Sequence, residues 1–293
     1  MLATMYQQLK KQNIMAKLLS FEQEFERRYP KRIPILRIMR EAIGVKEVNY
    51  SDCTLTNLDN VRRLMLSRLA QNSAQVYCAI IKSFLNEVSE EVELPTLRFA
   101  KALRVKTVPS QHIALSEQEL IMLDEYEPRT QNEADAKILF MRGAFTGARA
   151  SDCRVMSTKN IYDGTLSYVS IKTKIAVEQP IHSRVVKYLQ MQPSRERDAK
   201  SVNRTIKSIC KKLGFTEEIT LSRNGKMVTK PKYEWISMHA GRKSFCTSLA
   251  VRGVPIEIIA KLAGHAESST TSRCYVCIDS KKIGKEAMDF FND

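Results

Sequence analysis

The sequence predicts a mainly helical protein with a small antiparallel β-sheet, in which a helical N-terminal domain precedes an α+β C-terminal domain. Helical patterns fill the first third of the chain, and a basic segment flanked by prolines follows at about 95–113. Beyond it, short alternating segments and an Asn-Gly turn lie among further helical patterns. A length of 293 residues is also compatible with about two domains.

The first two predicted helices are marked by their ends. One covers residues 16–29 and ends near Pro30, because proline cannot continue a helix. The other, NLDNVRRLMLSRLA, has Asn57 or Asp59 available to accept a hydrogen bond at its start. Basic residues are interleaved throughout this region, which taken singly is typical of solvated helix faces.

The third predicted helix, SAQVYCAIIKSFLNEV, has the clearest pattern. Ser73 can cap it, and Val76, Ile80 and Phe84 recur at helical spacing on one face. The pattern therefore predicts that this face is buried. Three polar or aromatic residues then point elsewhere and are available to solvent or to a phosphate group: Gln75, Tyr77 and Lys82.

A domain boundary is predicted in the basic segment at 95–113. After it, Ser116 followed by Glu119 fits a capping box that opens a new helix. A basic linker between two basic domains suits a protein whose two halves both contact phosphates. The predicted domains are residues 1–108 and 114–293, with 109–113 as the end of the linker.

The second domain is predicted to begin with helices and to continue with short strands. EADAKILFMRGAF is helical, and TGARASD then supplies a glycine turn before Ser151 and Asp152, which suit a helix start. LSYVSIK and AVEQPI are predicted strands. A basic helix ends at Gly214, and Asn224-Gly225 fits the two-residue turn of a hairpin. Two further helices follow, AGRKSFCTSLAVRG and PIEIIAKLAG.

The charge of the chain favours a polyanionic partner. Lys and Arg number 47 against 32 Asp and Glu, which gives a net charge of +15. The basic residues are spread along the chain, so a membrane surface is less favoured. No apolar run is long enough to span a bilayer, and no secretory signal is recognisable.

The cysteine pattern indicates reduced thiols in a cytoplasm. There are seven cysteines, an odd number, and most lie inside predicted helices. Cys274 and Cys277 form an isolated C-x-x-C around Tyr275, which without a second pair is weak evidence for a metal or redox site. Tuning of that segment and simple packing both stay open for these two residues.

Several familiar catalytic motifs are missing. There is no phosphate-binding G-x-x-x-x-G-K-[ST] loop, so the use of ATP is not indicated. There is also no G-x-S-x-G or H-E-x-x-H, and no acidic cluster suited to two metal ions. No metal and no cofactor is predicted.

Four patterned segments carry residues suited to phosphate chemistry. Arg149 follows the glycine turn of FTGARASD, and Lys172 lies in SIKTKIAVEQP between two predicted strands. His239 and Arg242 share a helix face in SMHAGRKSF. LAGHAESSTTSRCY adds His265 and Tyr275. Each residue alone is more typical of an ion pair or a satisfied core group, but four such segments in one order are not expected by chance.

This order of segments resembles the tyrosine recombinase (phage integrase) family. The resemblance covers the chain from about residue 114 onward, and the first 108 residues are similar to the family's core-binding domain in length and helical pattern. It implies a C-shaped clamp on duplex DNA and a metal- and ATP-independent strand transferase. The implied catalytic residues are Arg149, Lys172, His239, Arg242, His265 and the nucleophile Tyr275.

The chemistry of these residues fits the resemblance. Two guanidiniums can clamp the nonbridging oxygens of a phosphodiester with fixed donors, which a lysine ammonium could not match. A tyrosine keeps the ester energy in a phosphotyrosine bond and returns it to a DNA hydroxyl. His239 could accept the tyrosine proton, Lys172 could protonate the departing 5′ oxygen, and His265 could hydrogen-bond a nonbridging oxygen.

Some positions depart from the family pattern or leave alternatives open. Gly241 replaces a packing Leu, Lys243 replaces a His, and the spacing from His265 to Tyr275 is one residue longer than usual. Lys174 competes with Lys172, because on a strand both would lie on one face. Asp152 either orients Arg149 or caps its helix. The candidates for DNA contact are Gln75, Tyr77, Lys82 and Lys243.

The resemblance also implies partners and a cellular role. The expected partner is double-stranded DNA, and the expected working unit is a homo-tetramer on two DNA sites. The apolar segment near the C-terminus would form a helix exchanged between protomers. Integration or excision of a mobile element in a bacterial, archaeal or phage-infected cytoplasm, at the nucleoid, is the expected role. A type IB topoisomerase and a DNA-binding regulator on an inactive scaffold are the alternatives.

Overall fold

The computed structural model of the chain describes residues 19–108, 111–194, 198–223, 225–265 and residue 271. The chain divides into two compact units, Met1–Pro109 and Ser110–Asp293. Each unit has its own hydrophobic core. The predicted C-terminal helix, Cys274 and Cys277 lie outside the described residues.

The described part of the first unit is helical. Two short 3-10 turns, Pro30–Arg32 and Tyr50–Asp52, connect its elements. Three phenylalanine rings meet at its centre, and Phe84 makes edge contacts with Phe21 and Phe25 at centroid distances of 4.9 and 5.1 Å. Its helices are α1 (Phe21–Arg28), α2 (Pro34–Ile43), α3 (Leu55–Arg68), α4 (Gln71–Val88) and α5 (Phe99–Ala102).

Hydrogen-bonding side chains determine where the first helices begin. Ser20 and Gln23 form a capping box at the start of α1, which ends before Pro30 as predicted. The predicted start of α3 is wrong. Thr54 is its N-cap and accepts a hydrogen bond from the backbone N–H of Asn57, so the helix begins earlier than the sequence pattern indicated.

The predicted buried face of α4 is only partly correct. Phe84 is buried, but Val76 is 44% exposed, and Ser73 is not the cap because the helix already begins at Gln71. Small residues that the apolar pattern underweights set the true phase of the helix. The buried face comprises Ala74, Cys78, Ile81, Phe84, Leu85 and Val88.

The second unit combines helices with two small antiparallel sheets. One sheet has the order β1-β2-β3, and the other is a hairpin of β4 and β5. The strands are β1 (Ile161–Tyr162), β2 (Thr165–Val169), β3 (Ala176–Pro180), β4 (Glu218–Arg223) and β5 (Lys226–Pro231). The helices are α6 (Glu117–Glu125), α7 (Gln131–Thr146), α8 (Ala150–Val155), α9 (Ser183–Gln190), α10 (Ala199–Lys212), α11 (Lys232–Trp235), α12 (Met238–Val251) and α13 (Ile256–Ala263).

The predicted fold class, mainly helical with small antiparallel sheets, is confirmed. Ser116 and Glu119 form the predicted capping box. In the second hairpin, Arg223 pairs with Lys226, so two residues connect the strands, as predicted. Gly225 of this connection adopts φ +76°. Asn224 of that turn lies outside the described residues.

Helix α7 is the centre of the second unit and packs closely against α12. A Cβ atom on Gly241 of α12 would lie 2.9 Å from the carbonyl oxygen of Phe140 and 3.2 Å from the nitrogen of Ala144. Both contacts are with backbone atoms that cannot move independently. The two helices therefore approach to a distance that only glycine permits at position 241.

A buried arginine holds the ends of two other helices against α7. The guanidinium of Arg142 is 1% exposed and donates to the carbonyl oxygens of Cys153 (2.8 Å), Tyr188 (3.0 Å) and Met191. These carbonyls lie at or beside the C-terminal ends of α8 and α9, where carbonyl groups lack partners inside their own helices. Arg142 thereby fixes α8, the helix that begins next to Arg149.

The described residues contain no membrane-spanning helix and no disulfide bond. No helix among them has both the length and the apolar character needed to cross a bilayer. Five cysteines are described, and all five are buried free thiols: Cys53, Cys78, Cys153, Cys210 and Cys246.

Candidate active site

Arg149 is positioned by a glycine turn at the end of α7. Gly147 ends this helix with φ +67°, and a Cβ there would come within 2.5 Å of the Phe245 ring. Arg149 follows as the N-cap residue of α8. Its Nη1 donates to Ser170 Oγ at 3.0 Å and to the carbonyl oxygen of Gly264 at 3.2 Å. One guanidinium therefore joins the β2–β3 turn to the end of α13.

Asp152 is linked to Arg149 through the Ser170 hydroxyl. The carboxylate is 2% exposed; its Oδ2 accepts from Ser170 Oγ at 3.0 Å, and its Oδ1 accepts from the backbone N–H of Ile171 at 2.9 Å. Both donors belong to the β2–β3 turn, and the contact from α8, Ser151 Oγ at 3.3 Å, is with a side chain and not with a backbone N–H at the helix start. The contacts therefore match the orienting interpretation of Asp152 and not the capping one.

Lys172 and Lys174 both lie in the turn between β2 and β3. The strands end at Val169 and resume at Ala176, so the prediction that the two lysines share a strand face is wrong. Both are exposed, and Lys174 has the left-handed φ of +57°. Its backbone N–H donates to the carbonyl oxygen of Ser170, which closes the turn around Lys172.

Arg242 ties the start of α12 to the turn that carries Arg149. Its side chain is 1% exposed, and its Nη1 donates to the carbonyl oxygen of Gly147 at 2.6 Å. His239 lies three residues earlier, on the same helix face. The close crossing at Gly241 thus sets the position of both side chains relative to α7.

His265 follows the glycine that ends α13. Gly264 adopts φ +68°, and its carbonyl oxygen is the one that accepts from Arg149. The imidazole is 8% exposed, and its Nδ1 lies 2.7 Å from Thr271 Oγ1. Burial, followed by the charges of Arg242 and Arg149, lowers the pKa of His265 to about 3.

His239 is held in the same electrostatic environment. The residue is exposed at the surface, but the protein around it still removes much of its imidazole from water. This partial burial, followed by the charges of Lys243 and Arg242, lowers the pKa of His239 to about 4. His112 and Arg149 contribute further in the same direction. Both imidazoles are therefore neutral at pH 7, the form that can accept a proton.

The site thus gathers two arginines and two neutral histidines from three separate segments of the second unit. Arg149 comes from the α7–α8 turn, Arg242 and His239 from the start of α12, and His265 from the end of α13. Within the described residues, no group of three or more His, Cys, Asp or Glu side chains is arranged to hold a metal ion. Fixed positive charge beside neutral imidazoles suits a phosphodiester.

The model of the phage integrase family matches residues 114–282, which is more than half of the chain. The chain belongs to the phage integrase family. The resemblance to tyrosine recombinases seen in the sequence is thereby confirmed. Tyrosine recombinase XerA of Pyrococcus furiosus is 28% identical over 267 residues, which cover 84% of this chain and 83% of that protein.

Solved structures of integrases have the same fold. A lambda integrase dimer bound to a core site matches with a TM-score of 0.62 at 13% identity, over 94% of this chain and 95% of that one. The Tn1549 transposon integrase in complex with a circular intermediate DNA matches with a TM-score of 0.61 at 14% identity, over 93% and 99%. At these identities the likeness concerns the fold.

The other residues predicted to cleave or contact DNA differ in their exposure to solvent. Tyr275 lies outside the described residues. Lys82 on α4 is exposed, whereas Gln75 and Tyr77 are half-buried and Tyr77 packs against the core of the first unit. Lys243 is 2% exposed and lines a cavity beside His239 instead of facing open solvent.

Ser170 also belongs to this site, although the sequence did not identify it. It is fully buried and bridges Arg149 and Asp152. A serine at the end of a predicted strand is an ordinary turn residue, so its type carried no information. Its position two residues before Lys172 was the one available hint.

Proposed function

We propose that this protein is a site-specific DNA recombinase that cleaves and rejoins strands through a covalent 3′-phosphotyrosine. The observation that carries the proposal is the convergence of Arg149, Arg242, His239 and His265 on one site. Further support comes from a structure of similar fold, the XerH site-specific recombinase bound to a palindromic difH substrate, which is a post-cleavage complex.

In the proposed cleavage step, the phenolic oxygen of Tyr275 attacks the scissile phosphorus as it loses its proton. A P–O bond to the tyrosine forms, and the bond between phosphorus and the 5′ oxygen breaks. Neutral His239 accepts the phenolic proton, and the ammonium of Lys172 donates a proton to the departing 5′ oxygen. Rejoining is the reverse reaction with a 5′ hydroxyl of another strand. One ester replaces another in each direction, so no ATP is needed.

The two arginines supply the electrostatic part of the mechanism. Negative charge concentrates on the nonbridging oxygens when phosphorus becomes five-coordinate. Arg149 and Arg242 present fixed donors to these oxygens, and His265 adds a hydrogen bond from a buried position. Because Arg149 is already held by Ser170 and Gly264, little reorganisation is required when the transition state forms.

The proposal extends to assembly and role. We infer that four protomers act on two sites in duplex DNA, with exchange of the C-terminal segment, and that they integrate or excise a mobile element in the cytoplasm. The lambda integrase tetramer on a Holliday junction and the Tn1549 integrase support this inference. The residues proposed to contact DNA outside the cleavage site are Gln75, Tyr77, Lys82 and Lys243.

A pool of nicked duplexes with a randomised central sequence tests the function without knowledge of the target site. The nick lies close to the cleavage position, so cleavage frees a short fragment that carries the 5′ hydroxyl. When this fragment diffuses away, the strand cannot be rejoined and the covalent intermediate is trapped. We expect wild-type protein to form an SDS-resistant DNA adduct whose sequenced DNA converges on one site. The adduct should be absent with Tyr275→Phe and retained with Tyr162→Phe, a matched change at an exposed tyrosine of β1.

The other outcomes separate the alternatives. Enrichment of one sequence in the noncovalently bound DNA, with no adduct, would support a DNA-binding regulator on an inactive scaffold. Relaxation of any supercoiled plasmid by the protein alone, with no preferred sequence, would support a topoisomerase.

A further inference from the structure

The cavity beside His239 that Lys243 lines has a volume of about 160 Å³ and lies next to the candidate active site, within the second unit. His239 forms part of its wall, so the cavity and the cleavage site share one residue. Its described lining includes an arginine, a lysine and two histidines but no carboxylate. The lining residues are Gln111, His112, Ile113, Leu221, Arg223, Trp235, Ser237, His239, Ala240 and Lys243.

The walls of this cavity are fixed by hydrogen bonds. The backbone N–H of Ser222 donates to Gln111 Oε1 at 2.7 Å, which fastens the segment preceding α6 to β4. The indole N–H of Trp235 donates to the carbonyl oxygen of Ile219 at 3.0 Å. The cavity is therefore bounded by a paired strand, an anchored indole and the first turn of α12.

The basic groups of the cavity lie close enough to affect one another. His239 and Lys243 are four residues apart on α12 and share a helix face. Partial burial, followed by the charges of Lys243 and Arg223, lowers the pKa of His112 to about 4. Holding like charges together is unfavourable, and an anion between them would relieve that repulsion.

The chemistry of the lining favours a phosphate over a nucleobase. The Trp235 ring already faces two cations, with Arg223 at 5.9 Å and Lys230 at 5.8 Å from its centroid. A base would have to displace them in order to stack. A phosphate instead needs donors and positive charge, which Arg223, Lys243 and His112 provide.

We propose that this cavity binds the nonbridging oxygens of a DNA backbone phosphate adjacent to the scissile phosphate. The proposal rests on the proposed function for the identity of the scissile phosphate. The arginine pair of the cleavage site would hold the scissile phosphate, and Arg223 with His112 and Lys243 would hold its neighbour. Two fixed points on one strand set the register of that strand relative to Tyr275.

Neutral substitution of single phosphates tests the proposal. A set of duplexes of the selected site is prepared, each with one phosphate of the cleaved strand replaced by an uncharged methylphosphonate. Equilibrium binding is measured with Tyr275→Phe protein, which cannot cleave the strand, alone and combined with Arg223→Gln or His112→Asn. We expect binding by Tyr275→Phe protein with an unaltered cavity to weaken about tenfold at the phosphate next to the scissile one, the scale of a lost charge-assisted hydrogen bond.

Coupling between protein and DNA changes identifies the contact. Arg223→Gln and His112→Asn should each weaken binding of the unmodified duplex and add no further loss with the methylphosphonate at that one position. Lys226→Gln is the matched control, because this exposed lysine pairs with Arg223 in the hairpin but does not line the cavity. The loss of binding free energy caused by Lys226→Gln should simply add to the loss caused by each methylphosphonate.

Two results would overturn this inference. Additive effects of Arg223→Gln and His112→Asn at every phosphate would mean that the cavity holds none of them. Coupling at a phosphate away from the cleavage position would place the contact elsewhere on the strand. Because binding is measured without strand cleavage, failure of the covalent chemistry is seen separately, as a missing adduct in the nicked-duplex assay.

Discussion

At the scale of single residues, the Ser170 hydroxyl is the link between the first arginine and the lysine turn. It accepts a hydrogen bond from Arg149 and donates one to Asp152, and it is fully buried. The same carboxylate holds the backbone of Ile171. Ser170 is therefore one of three described partners of the Arg149 guanidinium, with the Gly264 carbonyl and the Thr173 hydroxyl, whereas Asp152 also holds the lysine turn without it.

We predict that Ser170→Ala slows strand cleavage because Arg149 loses a partner. Hydrogen bonds to charged groups contribute about 1.5–3 kcal/mol, which corresponds to a loss of roughly 10- to 150-fold. In a substrate with sulfur in place of the departing 5′ oxygen, the sulfur leaves as a thiolate and needs no proton from a general acid. This substrate should restore cleavage by Lys172→Ala but not by Ser170→Ala. Equal rescue of both variants would show that Ser170 acts through Lys172 instead.

The pH dependence of cleavage should reveal the cations around His239. The proposed base must be neutral, and its pKa of about 4 keeps it neutral from pH 5 upward. Lys243→Met removes the largest charge contribution to this lowered pKa. The pKa of His239 should then rise toward its usual value. As the pH is lowered, the cleavage rate at subsaturating substrate should therefore begin to fall at a higher pH than in wild type. An acidic limb at the same pH in both proteins would contradict this.

The sequence indicated which residues would lie together better than it indicated their surroundings. Arg149, His239, Arg242 and His265 were recognisable from residue type and order, and the structure brings them together. The arrangement of Lys172 and Lys174 was not predictable, because the strand pattern does not show where pairing stops. The sequence suggested that Gly241 lacks a packing leucine side chain. It could not show the close approach of two helix backbones, because a hydrophobic pattern contains no information on such an approach.

At the scale of elements, the crossing of α7 and α12 determines the distance between the two arginines. We predict that Gly241→Ala pushes the helices apart and lowers the free energy of unfolding by about 1–3 kcal/mol, the usual cost of overpacking. Cleavage should fall as well, because Arg242 moves with α12. Chemical denaturation and the nicked-duplex assay measure the two effects.

Gly143→Ala provides the matched control on the facing helix. A Cβ there would meet its nearest neighbours at 3.7 Å, an ordinary contact distance. Alanine is also the better helix former, by about 1 kcal/mol. We therefore expect this variant to be at least as stable as wild type. If Gly241→Ala proved equally stable, the close crossing would not constrain the site.

Elements with strong local determinants were predicted well from sequence. The Ser116 capping box and the two-residue connection of the second hairpin depend on a few neighbouring residues. The phase of α4 was missed because Ala74 and Cys78, small residues near its start, belong to the buried face and Val76 does not. Tertiary packing, rather than the apolar pattern, decided which face turned inward.

At the scale of the whole molecule, charge and fold point in one direction. A net charge of +15 favours a polyanion, and the family match spans residues 114–282. The likeness to lambda integrase covers 94% of the chain, so it includes most of the first unit as well. Composition alone predicted the partner class, but the identity of the site required the order of the patterned segments.

The most direct test of the central claim is the identity of the residue that carries the DNA. The covalent adduct from the nicked-duplex assay is digested with nuclease and protease, and the attached peptide is sequenced by tandem mass spectrometry. We predict a nucleotide joined through its 3′ phosphate to Tyr275. Attachment to another residue, or through a 5′ phosphate, would contradict the proposed mechanism.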